Sequence, residues 1–228
     1  MTAVPESVSI AVSTVIFALR SDGEDAGASL RVPLVRRIRE PFKGKWALPG
    51  GPIRSRESLV EAARRSLLET TRLTPTYLEQ LYAFGEADRA PGDRVVSIVY
   101  WALVRPDEAE RAAEGENVRW FAEEELPELA FDHNRIVAYA LRRLRTKMEY
   151  SRIAHAFLGS TFTLAELRQV HEAVLQKQLD PANFRRQIEG SHAVVPTGDV
   201  RAGGRNRPPR LYRYDTAALG ESDPTTSP

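Results

Sequence analysis

Residues 46–73, WALPGGPIRSRESLVEAARRSLLETTRL, constrain the fold of this chain more than any other stretch. An aromatic and apolar start meets Pro49, Gly50 and Gly51, which punctuate the backbone, and a helix is predicted over 57–71. Within that helix Arg65 has Glu61 and Glu69 four residues to either side, where side chains share one face. Such a face serves either as an ion-paired ladder or as a charged wall turned to a ligand. The Gly-Gly loop ahead of it lets backbone come close to a phosphate.

The flanking sequence supplies a sheet for this unit to pack on. Strands are predicted at 8–19, 29–36, 77–86, 94–104 and 118–121, with SDGEDAG (21–27) as a hairpin connection. The apolar run at 8–19 is too short to span a bilayer and has no Lys or Arg before it. Rich in Val, Ile and Thr, it reads as a buried strand, and a cytoplasmic protein with no membrane partner is expected. After Pro127, Ile136, Ala140, Leu144 and Met148 recur at helical spacing, with Asp132 at the N-cap position. The chain has no Cys, which removes disulfides, thiol catalysis and thiolate zinc sites. The four His lack metal-ligand spacing, so no bound metal is expected.

The 46–73 segment resembles the box of the Nudix family. Gly51, Glu57, Arg65, Leu67, Glu69 and Leu73 fall on its pattern in register. The resemblance implies a mixed sheet with helices on its faces. It also implies a cluster of Glu residues that holds divalent cations against a pyrophosphate, and here the chain departs from the family. Ser66 and Thr70 stand where two of those Glu belong, and Arg72 replaces the box Gly. Glu61 lies eight helical residues from Glu69, roughly 12 Å away, too far to substitute easily. Mg²⁺ demands near-ideal octahedral geometry, which one carboxylate and a hydroxyl serve poorly. A non-catalytic domain with no catalytic residues is therefore expected. The alternative is an active ADP-ribose pyrophosphatase with an unusual metal site and an accessory C-terminal domain.

Beyond the box, REPFKGKWALPGG, YLEQLYAFGEADRAPGDRVVSIVYWALV and LAFDHNRIVAYALRRLR resemble the Nudix-related transcriptional regulators of NAD metabolism, the NrtR type. That resemblance implies ADP-ribose or a related NAD-derived nucleotide as an effector, with no cofactor required. Candidate ligand residues are the cations Arg37 and Arg39 (with Lys45 beside them), Phe42 and Trp46 as stacking or loop-packing rings, Gly50, Gly51, Arg65 and Glu69. His133, at a helix start, reads as structural.

Charge separates the two ends of the chain. Residues 135–213 hold 15 Lys and Arg against 6 Asp and Glu, whereas the remainder holds 17 against 25. A basic C-terminal part points to a polyanion. There, a helix is predicted at 148–157 and a second over TLAELRQVHEAVLQ, with Leu164, Leu167, Val170 and Val174 in one stripe. The short KQL connection leads to a third that opens with Asp180 and Pro181. Phe184 and Ile188 should face inward, leaving Asn183, Arg185, Arg186 and Gln187 outward, residue types that pair with adenine and guanine in the major groove. An apolar strand, a Gly/Arg-rich loop and a second strand follow as a wing, with Arg201, Arg205, Arg207 and Arg210 placed to meet phosphates or the minor groove. The overall expectation is an α+β chain: a Nudix-like domain (1–147), a winged helix-turn-helix (148–215) and a disordered tail (216–228). A homodimer on double-stranded DNA with a palindromic operator would use one reader per half-site.

Overall fold

The computed structural model of the protein describes residues 7–20, 28–112, 115–150, 153–201 and 208–215. The connection expected at 21–27 and the tail expected at 216–228 lie outside the described residues. The central strand is β1 (Ser9–Arg20), the apolar run singled out above. Its side chains alternate between two cores, as a period of two residues requires. Val15, Phe17 and Leu19 enter one, and Val12, Ile16 and Ala18 the other. Burial on both faces explains why the run is almost continuously apolar.

The other strands are β2 (Ser29–Arg36), β3 (Trp46–Ala47), β4 (Gly50–Pro52), β5 (Tyr77–Phe84), β6 (Val95–Val104) and β7 (Val118–Ala122). They form one mixed sheet in the order β3-β2-β1-β6-β5, with β4 paired to β1 and β7 to β2. β1 and β6 run parallel from Ser9 opposite Val95 to Ala18 opposite Val104. On one face lies α1 (Leu59–Thr71), which buries Ala62, Ala63 and Leu67; the short α2 (Pro106–Ala109) adds Ala109. On the other lies α3 (His133–Tyr150), which buries Ile136, Val137, Ala140, Leu141, Leu144 and Met148. The two short strands β3 and β4 were not legible as strands, because two or three residues carry no period.

The helix expected at 148–157 does not form as one piece. α3 continues to Tyr150, and a 3₁₀ turn occupies Ile153–Phe157. The tighter winding puts Ile153, Ala154 and Phe157 all into the core. Then come α4 (Leu164–Leu175), α5 (Pro181–Gly190) and the paired strands β8 (Val194–Val200) and β9 (Arg210–Tyr214). Phe162 exchanges both backbone hydrogen bonds with Tyr212, at 2.8 and 2.9 Å, and adds a third rung to this small sheet. The architecture is the expected α+β: a mixed sheet between helices, followed by a winged helix-turn-helix.

Among the described residues no separate core belongs to the C-terminal part. Phe157, Phe162, Leu167, Val170, Val174, Phe184 and Tyr212 join the same cluster as Val15, Phe17 and Trp101 of the sheet. Among the described residues no helix is long and apolar enough to cross a membrane.

Gly50 is the tightest backbone approach in this frame. A Cβ there would lie 2.4 Å from the Val12 carbonyl oxygen and 3.0 Å from the Ser13 Cα, neither of which can swing aside. Replacing Gly50 with Ala is expected to lower unfolding stability by about 1–3 kcal/mol, the range for forced overpacking. Urea denaturation measures this, and Gly51→Ala, where a Cβ meets nothing within 4 Å, should cost less.

Candidate effector and DNA-binding sites

α1 begins with a reciprocal cap. Ser58 accepts from the Glu61 N–H at 3.3 Å, and the Glu61 carboxylate accepts from the Ser58 N–H at 2.7 Å. This changes the ladder expected on the helix. Glu61 is occupied at the N-terminus, and Arg65 reaches past it to Glu57, at 2.6 and 2.9 Å, and on to Glu69 at 3.2 Å. The geometry follows from the way helical side chains lean toward the N-terminus, which brings the Arg65 guanidinium over the loop before α1. Arg54 adds a second cation on Glu69 at 3.3 Å. Hydrogen bonds from Arg65, then the Arg54 backbone N–H, hold the Glu57 carboxyl down to about 2.

Where the family places metal-binding Glu residues, Ser66 is buried and Thr70 donates its hydroxyl to the Ser66 carbonyl at 2.6 Å. Both remaining carboxylates, Glu57 and Glu69, face guanidinium nitrogens. This donor set does not fit a divalent cation, and among the described residues no group of three or more metal-ligating side chains comes together. Arg72 adopts the left-handed conformation (φ 58°) that the box Gly ordinarily supplies, as a helix end.

Gly50 and Gly51 form β4 on β1 rather than an open phosphate loop. The close approach that Gly50 makes is to Val12, and only Gly51 leaves free space. Trp46 is half-buried, its ring edge-on to Phe121 at 5.3 Å, so loop packing takes much of its surface. Arg39 is exposed.

Arg37 and Phe42 do come together. The Arg37 guanidinium lies over the Phe131 ring at 4.6 Å and donates to the Pro41 carbonyl at 2.7 Å. Phe42 meets Phe131 edge-on at 5.0 Å, and Lys45 lies over Phe42 at 5.7 Å. Burial lowers the Arg37 pKa, opposed by nearby Glu40. Behind this cluster, the carbonyl of Asp132 starts α3 by accepting from Ile136, as the N-cap assignment expects. Its carboxylate instead turns to Arg89, at 2.7 and 3.1 Å. Buried His133 accepts the Leu48 N–H on Nδ1 at 3.0 Å, and desolvation pushes its pKa down to about 3. The sequence marks Asp132 only as an N-cap and gives no role to Phe131 or Arg89. Phe131 and Asp132 stand directly before a helix start, the one local signal available; nothing in the sequence joined Arg89 to them.

The C-terminal site follows the sequence more closely. Thr163 and Glu166 cap α4 reciprocally, and Asp180 caps α5 by accepting the Asn183 N–H at 2.8 Å. Phe184 is buried and Ile188 half-buried, while Asn183, Arg185, Arg186 and Gln187 are exposed. Arg186 donates to the Asn183 side chain, and Arg185 pairs with Glu189 at 3.1 Å. Arg201 pairs with Glu166, which ties the base of the wing to α4. Arg210 is exposed on β9. It borders a cavity of about 450 Å³ between α4, α5 and the wing, together with Arg168, Pro181, Arg185 and Tyr212. Arg205 and Arg207 lie outside the described residues.

The NUDIX domain family model matches residues 10–143, and that of the NrtR DNA-binding winged helix domain matches residues 154–214. The chain belongs to the NrtR family. Its sequence is 33% identical over 190 residues to the ADPR responsive transcriptional repressor NtrR of Acinetobacter baylyi, covering 81% of this chain and 76% of that protein. The fold is similar to Shewanella oneidensis NrtR complexed with a 27mer DNA (TM-score 0.77, 32% identity, 92% of this chain and 95% of that one). It is also similar to the NUDIX domain of the same NrtR complexed with ADP ribose (TM-score 0.51, 31% identity, 63% of this chain and 94% of that one).

One titration follows from the burial of the α4–α5 contact in this NrtR-type reader. His171 packs on Phe184 at 5.3 Å between ring centroids, and desolvation pushes its pKa down to about 4. Between about 6.5 and about 4 the unfolded chain binds more protons than the folded one. Stability is therefore full above about 6.5 and falls as the pH drops toward about 4. Thermal unfolding midpoints between those values should decline with acidification, and His171→Phe should decline less steeply.

Proposed function

We propose that this chain is a transcriptional repressor that reads operator DNA through α5 and the wing and responds to ADP-ribose, or a related NAD-derived nucleotide, bound by the Nudix domain. The target genes on this reading are those of NAD biosynthesis. The observation that carries it is the joining, in one chain, of a Nudix domain and a winged helix whose exposed α5 face bears Asn183, Arg185, Arg186 and Gln187. The Arg186–Asn183 pair presents a donor and an amide to base edges from one helical turn. Arg201 and Arg210, with Arg205 and Arg207, supply backbone contacts that position the reader. Residues 1–147 sense and residues 148–215 read, with α3 passing through the boundary. A cytoplasmic homodimer on a palindromic operator suits a single reader per chain.

The Nudix domain serves as a receptor and not as a hydrolase. Arg65 lies between Glu57 and Glu69, Ser66 is buried, and Thr70 is turned back onto its own helix. The surviving Arg65 and Glu69 then face the effector beside Gly51. Retention of Glu57, Arg65 and Glu69 from the box favours the second reading, an ADP-ribose pyrophosphatase. Release of AMP from ADP-ribose with Mg²⁺ or Mn²⁺, abolished by Glu69→Gln, would establish that reading in place of the receptor.

Fluorescence anisotropy on duplex from an NAD-biosynthesis promoter tests the regulator directly. Competitor-resistant binding that weakens when ADP-ribose is added is the expected outcome; no specific binding would refute it. Arg186→Ala should weaken operator binding by about 1–3 kcal/mol while leaving ADP-ribose binding unchanged, and an unaltered operator affinity would remove α5 from its role. Affinity should also fall about a thousandfold between about 50 and about 200 mM salt if about six phosphates are neutralised.

A further inference from the structure

Three segments distant in sequence meet beside the effector cluster. Asp132, at the start of α3, is held by Arg89 from the connection between β5 and β6, and His133 holds the Leu48 N–H between β3 and β4. The Arg89 side chain is only 4% exposed, so its charge is compensated by this carboxylate and has no water to fall back on. The residue just before the pair, Phe131, has a left-handed backbone (φ 56°), and its neighbour in space, Phe42, has another (φ 65°). Neither is Gly, and bulky residues keep this conformation only where the surroundings impose it. Phe131 is stitched in on both sides: the Ala130 N–H donates to the Trp46 carbonyl at 2.8 Å, and Asp132 is fixed by Arg89.

The result of this bracing is the support it gives to Arg37. Its guanidinium rests on the Phe131 ring, half-buried, and donates to a backbone carbonyl; among the described residues no carboxylate pairs with it. A cation with one face on an aromatic ring and no carboxylate in ion-pair contact, Glu40 acting on it only from nearby, is arranged for an anion with oxygens in a plane, which a guanidinium binds in forked fashion. Lys45, over Phe42, adds a second positive charge to the cluster, its ammonium 2.8 Å from Glu128.

We propose that Arg89 and Asp132 are positioning residues of the effector site: the pair, with Arg89 buried and Asp132 half-buried, fixes Phe131 beneath Arg37 and so presents that guanidinium to the diphosphate of a nucleotide. This rests on the effector reading above. Neither residue touches the ligand. Both act through Phe131, and the ring, not the phenylalanine side chain as such, is what Arg37 needs.

Isothermal titration of ADP-ribose into the full chain tests this, with operator affinity in the absence of ADP-ribose as the measure of an intact fold. Phe131→Gly relieves the left-handed backbone but removes the ring, and should weaken ADP-ribose binding about tenfold. Phe131→Tyr keeps the ring and should bind within about twofold of the original chain. Asp132→Asn should also weaken binding about tenfold, and combined with Phe131→Gly it should add nothing further, because both act through one contact. Unchanged affinity in Phe131→Gly, or losses that multiply in the double variant, would overturn the positioning role while leaving the effector reading standing. If Asp132→Asn fails to fold, the Gly and Tyr variants decide alone. An original chain that holds its operator but does not bind ADP-ribose would overturn the effector reading, and this inference with it.

Discussion

The structure depends on one hydrophobic core that takes side chains from both ends of the chain. α3 is its axis: Ile136, Val137 and Ala140 pack beneath the sheet, and Leu144 and Met148 continue toward the winged helix. Its first residues lie against the Arg37–Phe131 cluster, and its later ones against α4. There Arg145 donates to the Val174 carbonyl at 3.0 Å, satisfying a carbonyl at the end of α4, and grips Glu123 beyond β7. Gln176, the left-handed cap of α4, donates to the same Glu123. Lys147 reaches Glu79 on β5 at 2.8 Å and lies over Trp101. α4 is thus attached to the sheet through packed side chains and oriented hydrogen bonds, not through a loose tether.

The same frame explains how the charged residues around α1 pair with one another. With Ser66 and Thr70 on the helix face, fewer carboxylates stand there to meet a divalent cation. Arg65 then finds Glu57 and Glu69 on either side, and Arg54 completes the pairing. The network needs no metal to be electrostatically satisfied.

Much of this was legible in the sequence. The apolar run of β1, the stripe Leu167–Val170–Val174 and the Asp180–Pro181 start of α5 are local signals, and the structure follows them. The box residues likewise located α1 and its left-handed end at Arg72. What escaped had no local period or depended on partners far along the chain. β3 and β4 are too short to show alternation. Glu61 stood four residues from Arg65, yet its carboxylate was claimed by Ser58 through a cap that the spacing S-x-x-E encodes. The Arg89–Asp132 pair joins positions 43 apart, and only the fold brings them together.

Hydrogen exchange on the full chain, with and without ADP-ribose, tests the coupling between the two ends most directly. If the shared core carries the response, ligand bound at the Nudix domain changes protection not only around residues 37–48 and 128–137 but also in α4 and α5. Changes confined to the Nudix residues, with α4 and α5 exchanging as before, would contradict a mechanical connection through α3.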